Sequence, residues 1–149
     1  MTRILIFLLV APSVFAWPEK WLREIVQLEC QWPIPLNEST VEWRHQRCIA
    51  SVALANKMTP KELTQKLDES TKDSDTPLAL FYRGDLAGAA EAAHKRGKPS
   101  LVGALCFASQ GLQKEAILDF SKVIKSTDDP LTRLAAELGI CLLYTSDAA

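Results

Sequence analysis

The amino-acid sequence predicts an all-α fold, with antiparallel helical hairpins stacked as a short solenoid behind an N-terminal helical cap. Three observations carry that expectation. Apolar residues recur at i, i+3, i+4 and i+7 along most of the chain, whereas the period-two alternation of strands is rare. Proline, glycine and N-cap residues punctuate this pattern at short intervals. Many of the segments so delimited are only about ten residues long, a length at which an isolated helix is marginal in water. Their stability must come from neighbouring helices, as in a stacked array.

Composition narrows the function classes. The 149 residues leave room for one domain, and 48% apolar residues are enough to build a core. Seventeen basic and 18 acidic side chains give a net charge of −1. Such a chain lacks the basic excess that a phosphate backbone demands, so no nucleic-acid partner is expected. No apolar run reaches the ~18–20 residues of a membrane-spanning helix, so no stable membrane span is expected. A protein or peptide is the expected partner, and composition leaves the oligomeric state open.

Residues 1–16 read as a secretory signal peptide. Arg3 supplies the positive start, residues 4–10 (ILIFLLV) form an apolar core, and Val14 and Ala16 place small residues at −3 and −1 of a cleavage site. Trp17 would then begin the mature chain. Export is expected, to the periplasm first, with an extracellular or secretory-lumen location as the alternative.

Residues 17–70 form the expected cap. Trp21, Leu22, Ile25, Val26 and Leu28 mark a helix over 19–29, behind Pro18 in a first-turn position. Pro33 and Pro35 make 31–37 an extended connection. Ser39-x-x-Glu42 has capping-box form and opens a helix with Cys48, Ile49, Val52 and Ala55 on one side. Thr59-Pro60-Lys61-Glu62 repeats that signal with proline at the first helical position, and its helix is expected to end near Glu69. Residues 70–76 (STKDSDT) are polar and aperiodic, a boundary of ordinary loop length.

Beyond that boundary the spacing becomes repetitive. A short helix over 77–82 is followed by one marked by Leu86, Ala89, Ala90 and Ala93. Gly97-Lys98-Pro99-Ser100 breaks the chain before a third over 101–109. Gly111 turns it into a fourth, with Ala116, Ile117, Phe120, Val123 and Ile124 on one face. Asp129-Pro130 caps a fifth that runs at least to Ile140.

These residues bring the segment of about 77–140 into resemblance with the tetratricopeptide repeat. Ala104 stands at the small first-helix position, Phe107 at the aromatic one, Gly111 at the turn, and Ala116-x-x-x-Phe120 at the tight second-helix pair. Val123 replaces the usual alanine and Pro130 falls two residues late. A further unit starts at Leu138-Gly139, 35 residues after Ala104 when measured to Gly139, near the family's period of about 34. Gly84 lies 27 residues before Gly111 and marks a shortened upstream unit with Ala89 and Ala93. The resemblance implies a concave groove lined by first-helix residues: Lys98, Leu101, Leu105, Ala108 and Ser109, then Arg133, Ala136 and Ile140. That mostly apolar set suits a hydrophobic helix or extended apolar segment better than a peptide carboxylate. Coverage of part of it by the N-terminal cap is the alternative.

The last nine residues, 141–149 (CLLYTSDAA), resemble one frame of a transposase-type sequencing adaptor read as coding sequence. They are expected to lack designed packing, apart from Cys141 and Leu142 as an extension of the last helix. The repeat segment 77–140 is accordingly expected to be truncated.

The chemistry expected of the chain is sparse. Cys30 and Cys48 flank the proline-containing connection, and in an exported chain a disulfide between them is the expected staple, contributing about 3 kcal/mol in the loop-entropy model. Two reduced, buried thiols are the alternative. Cys106 reads as core, and Cys30, His45 and Cys48 are one ligand short of a zinc site. His94-Lys95-Arg96 is a basic helix end, favourable to the helix dipole. The four tryptophans, Trp17, Trp21, Trp32 and Trp43, all fall in the cap, where packing outweighs a glycan-stacking role. No phosphate-binding glycine loop, HExxH or GxSxG occurs, and no catalytic residue, cofactor or metal is expected. The expected function is that of an exported scaffold binding a protein or peptide. The competing class is the helical region of a cell-wall-active enzyme of lytic transglycosylase type, with its catalytic domain downstream.

Overall fold

Local sequence chemistry sets most of the helix starts. In the computed structural model, which describes residues 16–31 and 38–147, the order is α1 (Ala16–Glu29), α2 (Glu38–Ala55), α3 (Pro60–Thr71), α4 (Pro77–Tyr82), α5 (Leu86–Lys95), α6 (Leu101–Ser109), α7 (Gln113–Ser126) and α8 (Pro130–Asp147). The described residues contain no strand. Thr59 closes a full capping box at α3, its hydroxyl accepting from the Glu62 amide at 3.2 Å while the Glu62 carboxylate accepts from the Thr59 amide at 2.8 Å. These contacts hold the Glu62 carboxyl below its usual range. Thr76, Asp85, Ser100 and Asp129 cap α4, α5, α6 and α8 through their side-chain oxygens. Leu112, ahead of α7, has no such side chain to offer.

The two repeat turns are copies of each other. Gly84 and Gly111 both sit at positive φ, +83° and +76°, where only glycine is unstrained. The amides that follow them, of Asp85 and Leu112, donate back to the Leu80 and Phe107 carbonyls at 3.0 and 2.9 Å. The 27-residue offset between these turns is therefore matched in backbone geometry as well as sequence.

The helices α4 to α8 pack mainly on their sequential neighbours, as a helical array does. Small residues set the approach. Ala89, Ala90 and Ala93 of α5 are buried, and a Cβ at Gly103 of α6 would come within 3.1 Å of the Ala93 methyl. Ala116, Phe120 and Val123 form the buried stripe of α7. The Phe120 ring lies against α8, where a Cβ at Gly139 would fall 2.6 Å from the ring edge.

Helix α1 behaves differently. Besides its hairpin partner α2, it touches α3, α4, α6 and α8, but neither α5 nor α7. Trp21, Leu22, Ile25 and Val26 are buried there, as is Cys30 just beyond its end. The core is consequently continuous from the N-terminal helices to Leu143.

Four expectations are corrected. No disulfide joins Cys30 and Cys48; both are buried thiols, and burial together with the neighbouring Glu29 charge pushes the Cys30 thiol well above its usual range. Ser39 falls inside the first turn of α2, which begins at Glu38, rather than ahead of it. Ala53, not Ala55, completes the buried stripe of α2 with Cys48, Ile49 and Val52. The tail is drawn in further than expected: α8 continues regularly to Asp147, Leu143 is buried, and its carbonyl accepts from the Gln113 side chain at 3.1 Å. The signal-like 1–15 and the connection 32–37 lie outside the described residues.

Candidate functional site

The groove residues implied by the sequence do not form an open surface. Leu105, Ala108 and Ala136 are buried in the core, and Leu101 and Ile140 are half-buried against it. Ser109 spends its hydroxyl on the Leu105 carbonyl at 2.9 Å. Lys98 and Arg133 are exposed, and Arg133 donates to the Thr127 carbonyl at 2.9 Å. The three buried residues belong to helices packed on neighbours on several sides: α6 between α5 and α7, α8 against α7, and both also against α1.

Polar side chains tie α1 in place at its edges. Gln27 donates to the Thr132 hydroxyl at 3.2 Å on α8, and Asn56 donates to the Glu24 carboxylate at 3.3 Å beyond α2. At its C-terminal end Glu29 is only 4% exposed and faces Arg44, which is 3% exposed, with 3.6 Å between Oε2 and the guanidinium nitrogen. Burial lowers the Arg44 pKa, and the Glu29 charge opposes that shift. His45 Nδ1 stands 3.7 Å from the other Glu29 oxygen.

Above this pair lies a polar cleft of about 510 Å3, lined by His45, Asp68, Thr71, Lys72, Tyr82 and Arg83. Most of its polar atoms are engaged structurally. The Tyr82 hydroxyl donates to Asp68 at 2.9 Å, and burial with this carboxylate pushes the phenol well above its usual range. Arg83 donates to the Thr71 carbonyl and, at 2.7 Å, to that of Ser74, closing the end of α3. The His45 and Tyr82 rings meet at 5.5 Å. The cleft is thus a seam between the cap and the array. Among the described residues, no group of three or more His, Cys, Asp or Glu is placed to hold a metal ion.

The second concavity has the opposite character. It is an apolar groove of about 280 Å3 between α1, α2 and the start of α8, lined by Leu28, Val52, Ala55, Leu131 and Leu134 and rimmed by Glu24, Gln27, Gln31 and Ser51. Leu131 and Leu134 are 64% and 49% exposed. Sequence reasoning placed the inward face of α8 at 133, 136 and 140 and passed over this flank. The signal was present as two leucines three positions apart in the first turns of a capped helix. Of the tryptophans whose side chains are described, Trp21 is buried and Trp43 is half-exposed beneath the Arg47 guanidinium, 4.8 Å from the ring centre.

Compared with protein-family models, with curated proteins and with solved structures, the chain matches none. Among its described residues no helix is long and apolar enough to cross a membrane.

Proposed function

We propose that this chain is an exported, tetratricopeptide-like scaffold that binds an apolar segment of a partner polypeptide. The observation that supports this most is the groove beside α8, an apolar floor with a polar rim and two exposed leucines. An apolar floor with a few polar groups at its edge is a form that binding grooves take. The signal-like 1–16 supports export. The repeat-like turns at Gly84 and Gly111 support the family reading.

A photo-reactive phenylalanine analogue at Leu134, introduced in the producing cell, tests the binding role. A discrete cross-linked polypeptide, identified by mass spectrometry and lost when Leu131→Asp is added, is the expected result. No adduct, or an unselective smear unchanged by Leu131→Asp, would sink the proposal.

A further inference from the structure

The apolar groove over α1 has both a shape and a charge that select a partner. We propose that the gap between α2 and α8 receives a cationic amphipathic helix, whose apolar face packs on the leucines of α8 and whose basic face meets a rim of carboxylates. This rests on the scaffold reading and names the chemistry of its partner. The shape comes from the helix arrangement. Helix α1 packs against both α2 and α8, yet α2 and α8 do not pack on each other, so a gap remains over α1. Its floor is Leu28, Val52 and Ala55. Along its α8 wall, Leu131, Leu134 and Leu138 recur at three-then-four spacing, the spacing at which one helix seats the side chains of a facing helix. Leu131 and Leu134 are exposed and Leu138 is half-buried. An extended segment, whose side chains repeat every two residues, does not follow such a seam.

Charge separates a basic partner from a second copy of this chain. The lining residues include the Glu24 carboxylate and no lysine or arginine. Asp129 joins the rim through Gln27, whose side-chain nitrogen stands 3.5 Å from it, and hydrogen bonds from Thr132 hold its carboxyl below the usual range. Asp128 is exposed beside it, and exposed Glu137 follows Leu134 by three positions, at the solvent edge of the same side of α8. Lys20 approaches Glu24 at 3.7 Å, but as a surface pair it offsets little. Arg133 is committed to the Thr127 carbonyl. Two copies meeting at this groove would set these carboxylates against each other, whereas lysines or arginines on a docked helix would pair with them.

The probe is a fluorescein-labelled amphipathic peptide of about 15 residues, long enough to be helical, with leucine on one face and lysine on the other. A twin peptide carries glutamate in place of each lysine. Both are titrated by anisotropy into the full chain. The lysine peptide should bind at least roughly 10-fold more tightly than its twin, and Glu24→Gln with Glu137→Gln should narrow that difference. Leu131→Ser with Leu134→Ser should weaken binding of the lysine peptide at least about 10-fold. Leu118→Ser, at an exposed leucine of α7 outside the groove, should leave it unchanged. All these positions are at the surface, and circular dichroism checks that each variant is folded. Binding indifferent to peptide charge, an equal loss with Leu118→Ser, or no binding of either peptide would overturn the proposal. So would a Leu134 cross-link to a second copy of this chain. A selective Leu134 cross-link to a neutral or acidic segment would end the cationic-helix assignment and leave the scaffold reading standing, whereas absence of any cross-link strikes the scaffold reading itself.

Discussion

The N-terminal helices α1–α3 and the array α4–α8 bury similar kinds of surface in different ways. The array is built from close approaches onto glycines: Ala93 against Gly103, and the Phe120 ring against Gly139. Each joint involves neighbours in sequence, so its geometry follows from short turns. The cap instead uses large side chains, with Trp21, Ile25, Leu63 and Leu67 nearly inaccessible, and it buries a charged pair among them. Its principal helix packs on segments far away in sequence. Local contacts form with little loop-closure entropy, whereas distant ones require a long stretch of chain to be ordered first.

Even the two joints of the array differ. By the 27-residue offset, Phe120 occupies the position held by Ala93 one unit earlier. The second joint therefore depends on an aromatic ring seated over a glycine. Phe120→Ala should open a cavity there and cost about 3–5 kcal/mol in a denaturant melt. A loss no larger than that of a surface substitution would show that α7 is phased differently.

The cap should break just as sharply, for an electrostatic reason. Glu29→Leu takes the opposing carboxylate from the buried Arg44 guanidinium and should cost about 3–5 kcal/mol. The double variant Glu29→Leu with Arg44→Leu should recover most of that loss, because desolvation of the pair offsets its attraction. Additive losses in the double-mutant cycle would mean that the pair does not act as a unit.

Gly139→Ala probes the same joint as Phe120 from the other side. A methyl 2.6 Å from the ring forces a shift, so about 1–3 kcal/mol should be lost. Combined with Phe120→Ala, the added methyl should become nearly neutral, since the ring it clashes with is gone. If Gly139→Ala is silent in the parent, the close α7–α8 approach is not a feature of the molecule in solution.

Packing rather than a covalent staple closes the cap. All four cysteines should titrate with a thiol reagent in denaturant without reductant. In the native chain only exposed Cys141 should react quickly, because burial raises the Cys30 pKa and pushes that of Cys106 up to about 12. Two missing thiols in the denatured titration would restore the Cys30–Cys48 bond.

The smallest effect is expected at the far end of the array. Tyr144 is exposed and no deep contact involves it, so removal of residues 144–149 should change stability by no more than about 0.5 kcal/mol. Removal from Leu143 onward should cost more, since that residue is buried against the array. A large loss from the shorter deletion would give the adaptor-like tail a structural role.

Sequence alone determined the parts of this protein that are local. Caps at Thr59 and Asp129, and turns at Gly84 and Gly111, act over a few residues through backbone hydrogen bonds, so helix number and order were legible without a structure, although the caps at Thr76, Asp85 and Ser100 were not singled out. The stripe Ala116, Phe120, Val123 was legible for the same reason, because periodicity reports which face is apolar. Periodicity does not report what covers that face. Trp21, Leu22, Ile25 and Val26 announced an amphipathic helix, but nothing in their spacing said that it would pack against α4, α6 and α8, or that Leu105, Ala108 and Ala136 would be buried. Nor did spacing reveal that Glu29 and Arg44 would meet inside the core, or that the apolar groove would open beside Leu131 and Leu134. Those features depend on competition among distant apolar surfaces for one seat, and only tertiary packing resolves it, because the hydrophobic effect is non-directional and shape complementarity alone selects the partner.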